Sequence, residues 1–336
     1  MHLNIYQLFF IEFNDMSENV MTAKIYENWL LHELHKYYVP CCFLHLDNFL
    51  LSNHQLTEKM NMETTENCRN LKDKDTLYFS KDFTQPDPID EACRSDIDKL
   101  LQTGRLFRYQ TAGNDNGPVS IAEVEFAKYV GLKYALGMNS GGCALSIALK
   151  IILGLLEDEG TTALNGKNAT KTVMTNAYTL SPVPGAIVHA GGIPLFVDCD
   201  QGTYSIDFGS FVKVAEESKS KVLMLSYMRG RIPPDLEEIV EYCRKRGIMI
   251  VEDCAHTLGS KFRSKHLGCF GDIAVYSLQT NKLINCGEGG FLCTNSPYII
   301  SRAIVFSGSY AHFNKHLSRP SIFHTGGMFC IELRMT

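Results

Sequence analysis

From about residue 86 onward, short continuous apolar runs alternate with amphipathic stretches of helical length. The runs KTVMTNA, IPLFVDC, KVLMLSY, GIMIVED and IAVYSL read as strands, and segments such as PPDLEEIVEYCRKRG between them read as helices. Unbroken apolar strands joined by helical crossovers predict an α/β protein with a mostly parallel sheet covered on both faces, a three-layer α-β-α arrangement. Two helices precede the first of these runs. PIDEACRSDIDKLLQTG is expected to end on Gly104, and SIAEVEFAKYVG to be capped by Ser120 and stopped by Gly131 before the strand KYALGMN.

Residues 1–85 have a different texture: rich in Asn, His, Leu and Tyr, poor in Gly, with the polar charged stretch TEKMNMETTENCRNLKDKD. A helix is predicted over 24–37; otherwise the segment reads as a poorly ordered or irregular extension, and nothing in it converges on chemistry.

Composition narrows the classes of partner. Of 336 residues, 45% are hydrophobic and 21% charged, as in a globular protein that buries a core. With 32 basic and 37 acidic residues the net charge is -5, which leaves no electrostatic footprint for nucleic acid or an anionic membrane. No run approaches the ~20 apolar residues of a membrane span. The apolar N-terminus MHLNIYQLFFIEF lacks a basic flank and meets Glu12 and Asp15, so it makes a poor signal peptide and the expected location is cytoplasmic. The twelve cysteines form no C-x-x-C pair and mostly sit inside apolar runs, which predicts free thiols, a reducing compartment and no metal site.

In a parallel sheet, ligands sit beyond the carboxyl ends of the strands. Three such ends carry candidate chemistry. In MNSGGCALSIALK, Ser140, Gly141 and Gly142 open an apolar helix, where small residues leave backbone N–H groups free to cup an anion; a plain tight turn is the alternative. In GIMIVEDCAHTLG, Asp253 ends a strand and His256 follows three residues later. A buried carboxylate there needs a cation or hydrogen-bond donors, unless Asp253 merely caps a helix and His256 is a core histidine. In GDIAVYSLQTNKLINCGEGG, a strand delivers Ser277, Lys282 follows in a polar loop, and Gly287 to Gly290 turn the chain back. A half-buried lysine there is a Schiff-base nucleophile; a surface lysine in a hairpin is the alternative. All three sites suit one ligand, pyridoxal 5'-phosphate: phosphate at the glycine-opened helix and Ser277, ring nitrogen at Asp253, aldehyde on Lys282.

From about residue 86 to its end the chain resembles the DegT/DnrJ/EryC1/StrS sugar aminotransferases, on NSGGCAL, NAYTLSPVPGAIVHAGGIPLFVDCD, VEDCAHTLGSKFRSKHLGCFGDIAVYSLQTNK and GEGG, in that order. The resemblance implies an aspartate-aminotransferase-like, fold-type-I large domain over 86–330, with 331–336 the start of a small domain that is largely missing. It makes Lys282 the lysine that carries the cofactor and Asp253 the partner of its ring nitrogen. His256 would lie near the ring hydroxyl, and Ser277 with the backbone of Gly141, Gly142 and Cys143 would hold the phosphate.

Four positions depart from the family pattern. Gly142 stands where Thr is usual. Leu180 replaces the aromatic residue that covers the ring, giving up about 1 kcal/mol of stacking. Gln279 replaces a frequent His, and Glu332 replaces an Asn that reaches the neighbouring subunit's phosphate. The implied activity is ping-pong transfer of an amino group from Glu or Gln to a keto-sugar nucleotide by a homodimer. A non-catalytic fragment or scaffold of the same fold is the other reading, favoured by the early end, Leu180 and Glu332. Related sugar dehydratases replace the lysine with His, so Lys282 argues against dehydration. Neither a G-x-G-x-x-G turn nor a G-x-S-x-G elbow is present for nicotinamide or serine-hydrolase chemistry.

Overall fold

The computed structural model describes residues 88–109, 117–158, 171–309, 312 and 315–320. The extension expected over 1–85 with its helix at 24–37, the small-domain start at 331–336 and Glu332 lie outside the described residues.

Helix α1, Glu91–Thr103, is capped by Asp90, whose side chain accepts from the Cys93 N–H, and ends on left-handed Gly104, as expected. Helix α2, Pro118–Val130, ends on left-handed Gly131, but Ser120 does not cap it. The helix begins three residues earlier because Pro118, with its fixed φ and no N–H to satisfy, opens it after Gly117. Ser120 is therefore a buried residue of the first turn.

The remaining elements alternate. They are β1 Tyr134–Met138, α3 Gly141–Asp158, β2 Thr172–Asn176, α4 Pro182–His189, β3 Ile193–Val197, α5 Phe208–Ser218 and β4 Val222–Ser226, then α6 Leu236–Arg246 and β5 Met249–Asp253. A two-stranded ribbon follows, β6 Lys261–Phe262 with β7 Lys265–His266, and then β8 Ile273–Ser277, β9 Gly290–Thr294 and α7 Pro297–Ile304. The seven long strands form one sheet in the order β1-β9-β8-β5-β4-β2-β3. Only β9 runs against the others, pairing antiparallel with β1 and β8. The expected mostly parallel sheet is therefore present.

Strand alternation divides the core. Val222 and Met224 of β4 face a cluster with α3, α4 and α7, while Leu223 and Leu225 face α2, α5 and α6. The apolar character of α3 follows from its place. Leu145, Ala148, Leu149, Ile151 and Ile152 are buried against the strands and neighbouring helices, each such large side chain worth ~1.5–3 kcal/mol. Among the described residues no helix is long and apolar enough to cross a membrane.

One close approach joins the two ends of this architecture. A Cβ at Gly290 would lie 2.6 Å from the Gly141 nitrogen and 2.8 Å from its Cα, and a Cβ at Gly141 would lie 2.9 Å from Ser277 Cβ. Only glycines let the start of α3, the end of β8 and the start of β9 touch. Gly290→Ala is accordingly expected to lower stability by about 1–3 kcal/mol through overpacking, read as a lower urea midpoint with an unchanged m-value. An unchanged midpoint would show that the approach is loose.

Candidate active site

Parallel pairing brings the carboxyl ends of β1, β2, β4, β5 and β8 to one edge of the sheet. Ser226 is level with Asp253, while Met138 and Ser277 are both level with Gly290. The residues singled out from the sequence gather along this edge.

Asp253 is buried. Its Oδ2 accepts from the Ser226 hydroxyl at 2.8 Å and its Oδ1 from the Ala255 N–H at 3.2 Å. Burial pushes the carboxyl above its ordinary value, while those two donors and the charges of His256 and Lys282 pull it down. The capping alternative does not hold, since turns and not a helix follow the strand; the side chain braces the first of those turns, and its main partner is a hydroxyl on the adjacent strand. Ser226 is itself fixed, its N–H donating to Asn176 Oδ1 at 3.0 Å and its Oγ accepting from the Thr179 hydroxyl at 2.8 Å.

Lys282 lies in the loop of the β8–β9 hairpin, its N–H bonded to the Gln279 carbonyl at 2.7 Å and the loop closed by Thr280 N–H to the Gly287 carbonyl. It is a hairpin lysine, yet its amine is half-buried and 2.8 Å from His256 Nε2. The backbone of Arg229 also reaches this histidine, its N–H donating to His256 Nδ1 at 3.3 Å. The ring is thereby held between a backbone donor on one nitrogen and Lys282 Nζ on the other. Burial lowers the lysine's pKa from its ordinary value, the Asp253 charge opposing, and burial together with the Lys282 charge lowers that of His256. Arg229 holds its place in a left-handed conformation, φ 54°, followed by Gly230 at φ 73°.

The start of α3 is the expected anion cup. Gly141 and Gly142 occupy its first turn, where N–H groups have no intrahelical acceptor. The Cys143 N–H, however, is taken by Ser140 Oγ at 3.0 Å, so the helix supplies its own cap there. A Cβ at Gly142 would meet nothing nearer than Ser140 Oγ at 3.9 Å, which leaves the cup open on that side. The Ser277 hydroxyl is beside Gly141 and accepts weakly from the Gln279 N–H at 3.4 Å. Leu180, just before α4, is 47% exposed at the rim.

One functional neighbour was not anticipated. Glu252, fully buried, points to the opposite sheet face from Asp253 and accepts from Tyr227 Oη at 2.7 Å and from the Gly268, Phe270 and Gly271 N–H groups at 3.0, 2.8 and 2.6 Å. It pins the L-G-C-F-G loop under β5, and so fixes the strand that delivers Asp253. The signal was visible: a second carboxylate inside an apolar strand needs donors as much as the first.

A family profile described as the DegT/DnrJ/EryC1/StrS aminotransferase family matches residues 95–320. The chain belongs to this family. Among the relatives of this DegT/DnrJ/EryC1/StrS member, GDP-perosamine synthase of Escherichia coli O157:H7 is 33% identical over 186 residues, 55% of this chain and 47% of that protein. The spore coat polysaccharide biosynthesis protein SpsC of Bacillus subtilis is 28% identical over 233 residues, 68% of this chain and 54% of that one. The chain spans about half the length of the curated relatives it matches. Among solved structures, Helicobacter pylori PseC, an aminotransferase involved in the biosynthesis of pseudoaminic acid, shares the fold with a TM-score of 0.55 at 20% identity, covering 66% of this chain and 54% of that one. The aminotransferase from Psychrobacter cryohalolentis does so with a TM-score of 0.57 at 22% identity, covering 73% and 56%. These likenesses establish the fold-type-I architecture expected from the motifs.

Two expectations for this family member follow. Glu252→Gln puts an amide NH2 against N–H or hydroxyl donors, and each buried donor left unmatched costs ~1–3 kcal/mol, so the variant should unfold at a lower denaturant midpoint; equal midpoints would remove Glu252 from its pinning role. In cofactor-free protein, Lys282 should react with an amine reagent with a titration midpoint below the ordinary lysine value, and Asp253→Asn should lower it further by deleting the charge that holds it up. A rise in Asp253→Asn would contradict the arrangement.

Proposed function

We propose that the chain is the cofactor-binding part of a pyridoxal-phosphate-dependent aminotransferase that acts on a keto-sugar nucleotide with Glu or Gln as amino donor. The observation that carries this reading is the convergence of a half-buried lysine, a buried carboxylate and a glycine-opened helix start on one edge of the sheet. The donor set matches the three chemical features of the group. Gly141, Gly142 and the Ser277 hydroxyl suit its phosphate, Asp253 its ring nitrogen and Lys282 its aldehyde, with Cys143 contributing less because its N–H is spent on Ser140.

When bound, pyridoxal phosphate supplies an electron sink for carbanion chemistry. The protein's part is positioning and proton traffic. Lys282 Nζ, whose pKa burial lowers, would attach the group and, when free of it, take a proton from the substrate carbon and return it. Asp253 would hold the ring nitrogen protonated from a buried site. Leu180 would offer the ring apolar surface rather than an aromatic face. The two half-reactions would follow one another in ping-pong order at this single lysine.

The substrate class is supported by the relatives' own names, among them GDP-perosamine synthase and the L-glutamine:scyllo-inosose aminotransferase of Streptomyces griseus. The family resemblance adds a homodimer. Helix α1 and the turn after it leave Ile97, Leu101, Leu106 and Phe107 in solvent, an apolar surface that a second copy would cover.

Leu180, in place of an aromatic residue and 47% exposed, favours one other reading, a scaffold of the same fold without turnover. Adding pyridoxal phosphate and trapping with borohydride separates the two. The enzyme reading expects visible absorbance and a cofactor-modified peptide containing Lys282, both lost in Lys282→Ala, together with loss of any turnover. A colourless wild-type chain, or equal colour in the variant, would overturn it.

A further inference from the structure

Asp253 is buried at the end of β5, and what keeps its carboxylate in place is a directed chain of hydroxyls reaching it from the rim of the site. Thr179 Oγ1–H donates to Ser226 Oγ at 2.8 Å, and Ser226 Oγ–H donates in turn to Asp253 Oδ2 at 2.8 Å. A serine hydroxyl has one proton, so with that proton given to Asp253, Ser226 can only accept from Thr179. Three further bonds remove its freedom to do otherwise. Asn176 Oδ1 accepts the Ser226 N–H at 3.0 Å, while Asn176 Nδ2 donates to the Ser226 carbonyl at 3.2 Å and to the Tyr178 carbonyl at 2.8 Å, fixing the segment on which Thr179 sits.

We propose that Thr179 and Ser226 are positioning residues that orient the Asp253 carboxylate for its cofactor partner, Ser226 as the direct donor and Thr179 acting through it. The proposal rests on the reading of Asp253 as the partner of the ring nitrogen. Its physical basis is the cost of a buried anion. With the Ser226 hydroxyl removed, Oδ2 loses its donor and the Ala255 N–H on Oδ1 remains, so the carboxyl holds its proton to a higher pH and serves less well as the counter-charge of a protonated ring. The other titratable groups around Asp253 are Lys282 and His256 on the site side and Cys254 next in the chain, and none of them is altered by a change at Ser226 or Thr179. Thr179 adjoins Leu180 at the rim, so a ligand that moves this segment also moves the donor behind the buried carboxylate.

The test is a carbon-13 NMR titration of the Asp253 carboxyl in cofactor-free protein. Ser226→Ala should move the midpoint upward by about one pH unit or more, the size of a lost hydrogen bond to a charged group. Thr179→Val should move it upward by less, and the double variant should match Ser226→Ala alone, because Thr179 has no route to Asp253 except through Ser226. Thr179→Ser, which keeps the hydroxyl, should restore the wild-type midpoint. An unmoved midpoint in a Ser226→Ala protein with native circular dichroism would overturn the proposal, as would a Thr179→Val shift that adds in full to that of Ser226→Ala. Should Ser226→Ala fail to fold, the Thr179→Val and Thr179→Ser pair decides alone: equal midpoints in the two would overturn it. A wild-type chain that traps no cofactor while these shifts appear would sink the aminotransferase reading and leave the relay standing.

Discussion

Two carboxylates stand side by side at the end of β5, in the middle of a sheet with apolar layers on both faces. In such a place an ion without donors costs several kcal/mol, so each must be met by groups that the rest of the fold brings to it. Because neighbouring residues of a strand point to opposite faces, they need separate solutions. Glu252 is met by a tyrosine hydroxyl and three backbone N–H groups of the loop before β8, and Asp253 by the Ser226 hydroxyl and the Ala255 N–H. The parallel register that sets Ser226 level with Asp253 is thus a condition for the site as well as a feature of the sheet.

The same logic extends outward to the lysine. Lys282 is carried on a hairpin whose returning strand can pass the start of α3 only because residues 141 and 290 are glycines. Packing therefore ties the amine, the anion cup and the strand end of Ser277 into one unit. Electrostatics tie that unit to Asp253, which raises the lysine's affinity for a proton while burial lowers it. A backbone N–H in a left-handed turn, that of Arg229, holds the histidine that meets the amine.

Much of this was legible in the sequence because strand ends in a parallel sheet are where ligands bind, and apolar runs mark those ends. Lys282, Asp253, His256, Ser277 and the glycine-opened helix were all reached that way. Ser226 was not, since a serine closing KVLMLS carries no signature until the register places it opposite Asp253. Glu252 was overshadowed by its neighbour, although any carboxylate inside an apolar strand asks for donors. The role of Arg229 belongs to its backbone and leaves no mark in residue type. The start of α2 was misplaced by three residues because a serine with capping chemistry outweighed the proline before it.

On the function proposed above, the carboxyl edge of this sheet holds one cofactor between Lys282 and Asp253. A crystal structure of the chain grown with pyridoxal phosphate shows whether it does. Density continuous with Lys282 Nζ is expected, with the ring nitrogen at hydrogen-bond distance from Asp253 and the phosphate at Gly141, Gly142 and Ser277. A bound cofactor with its ring nitrogen facing any other group, or a phosphate away from the start of α3, would contradict it.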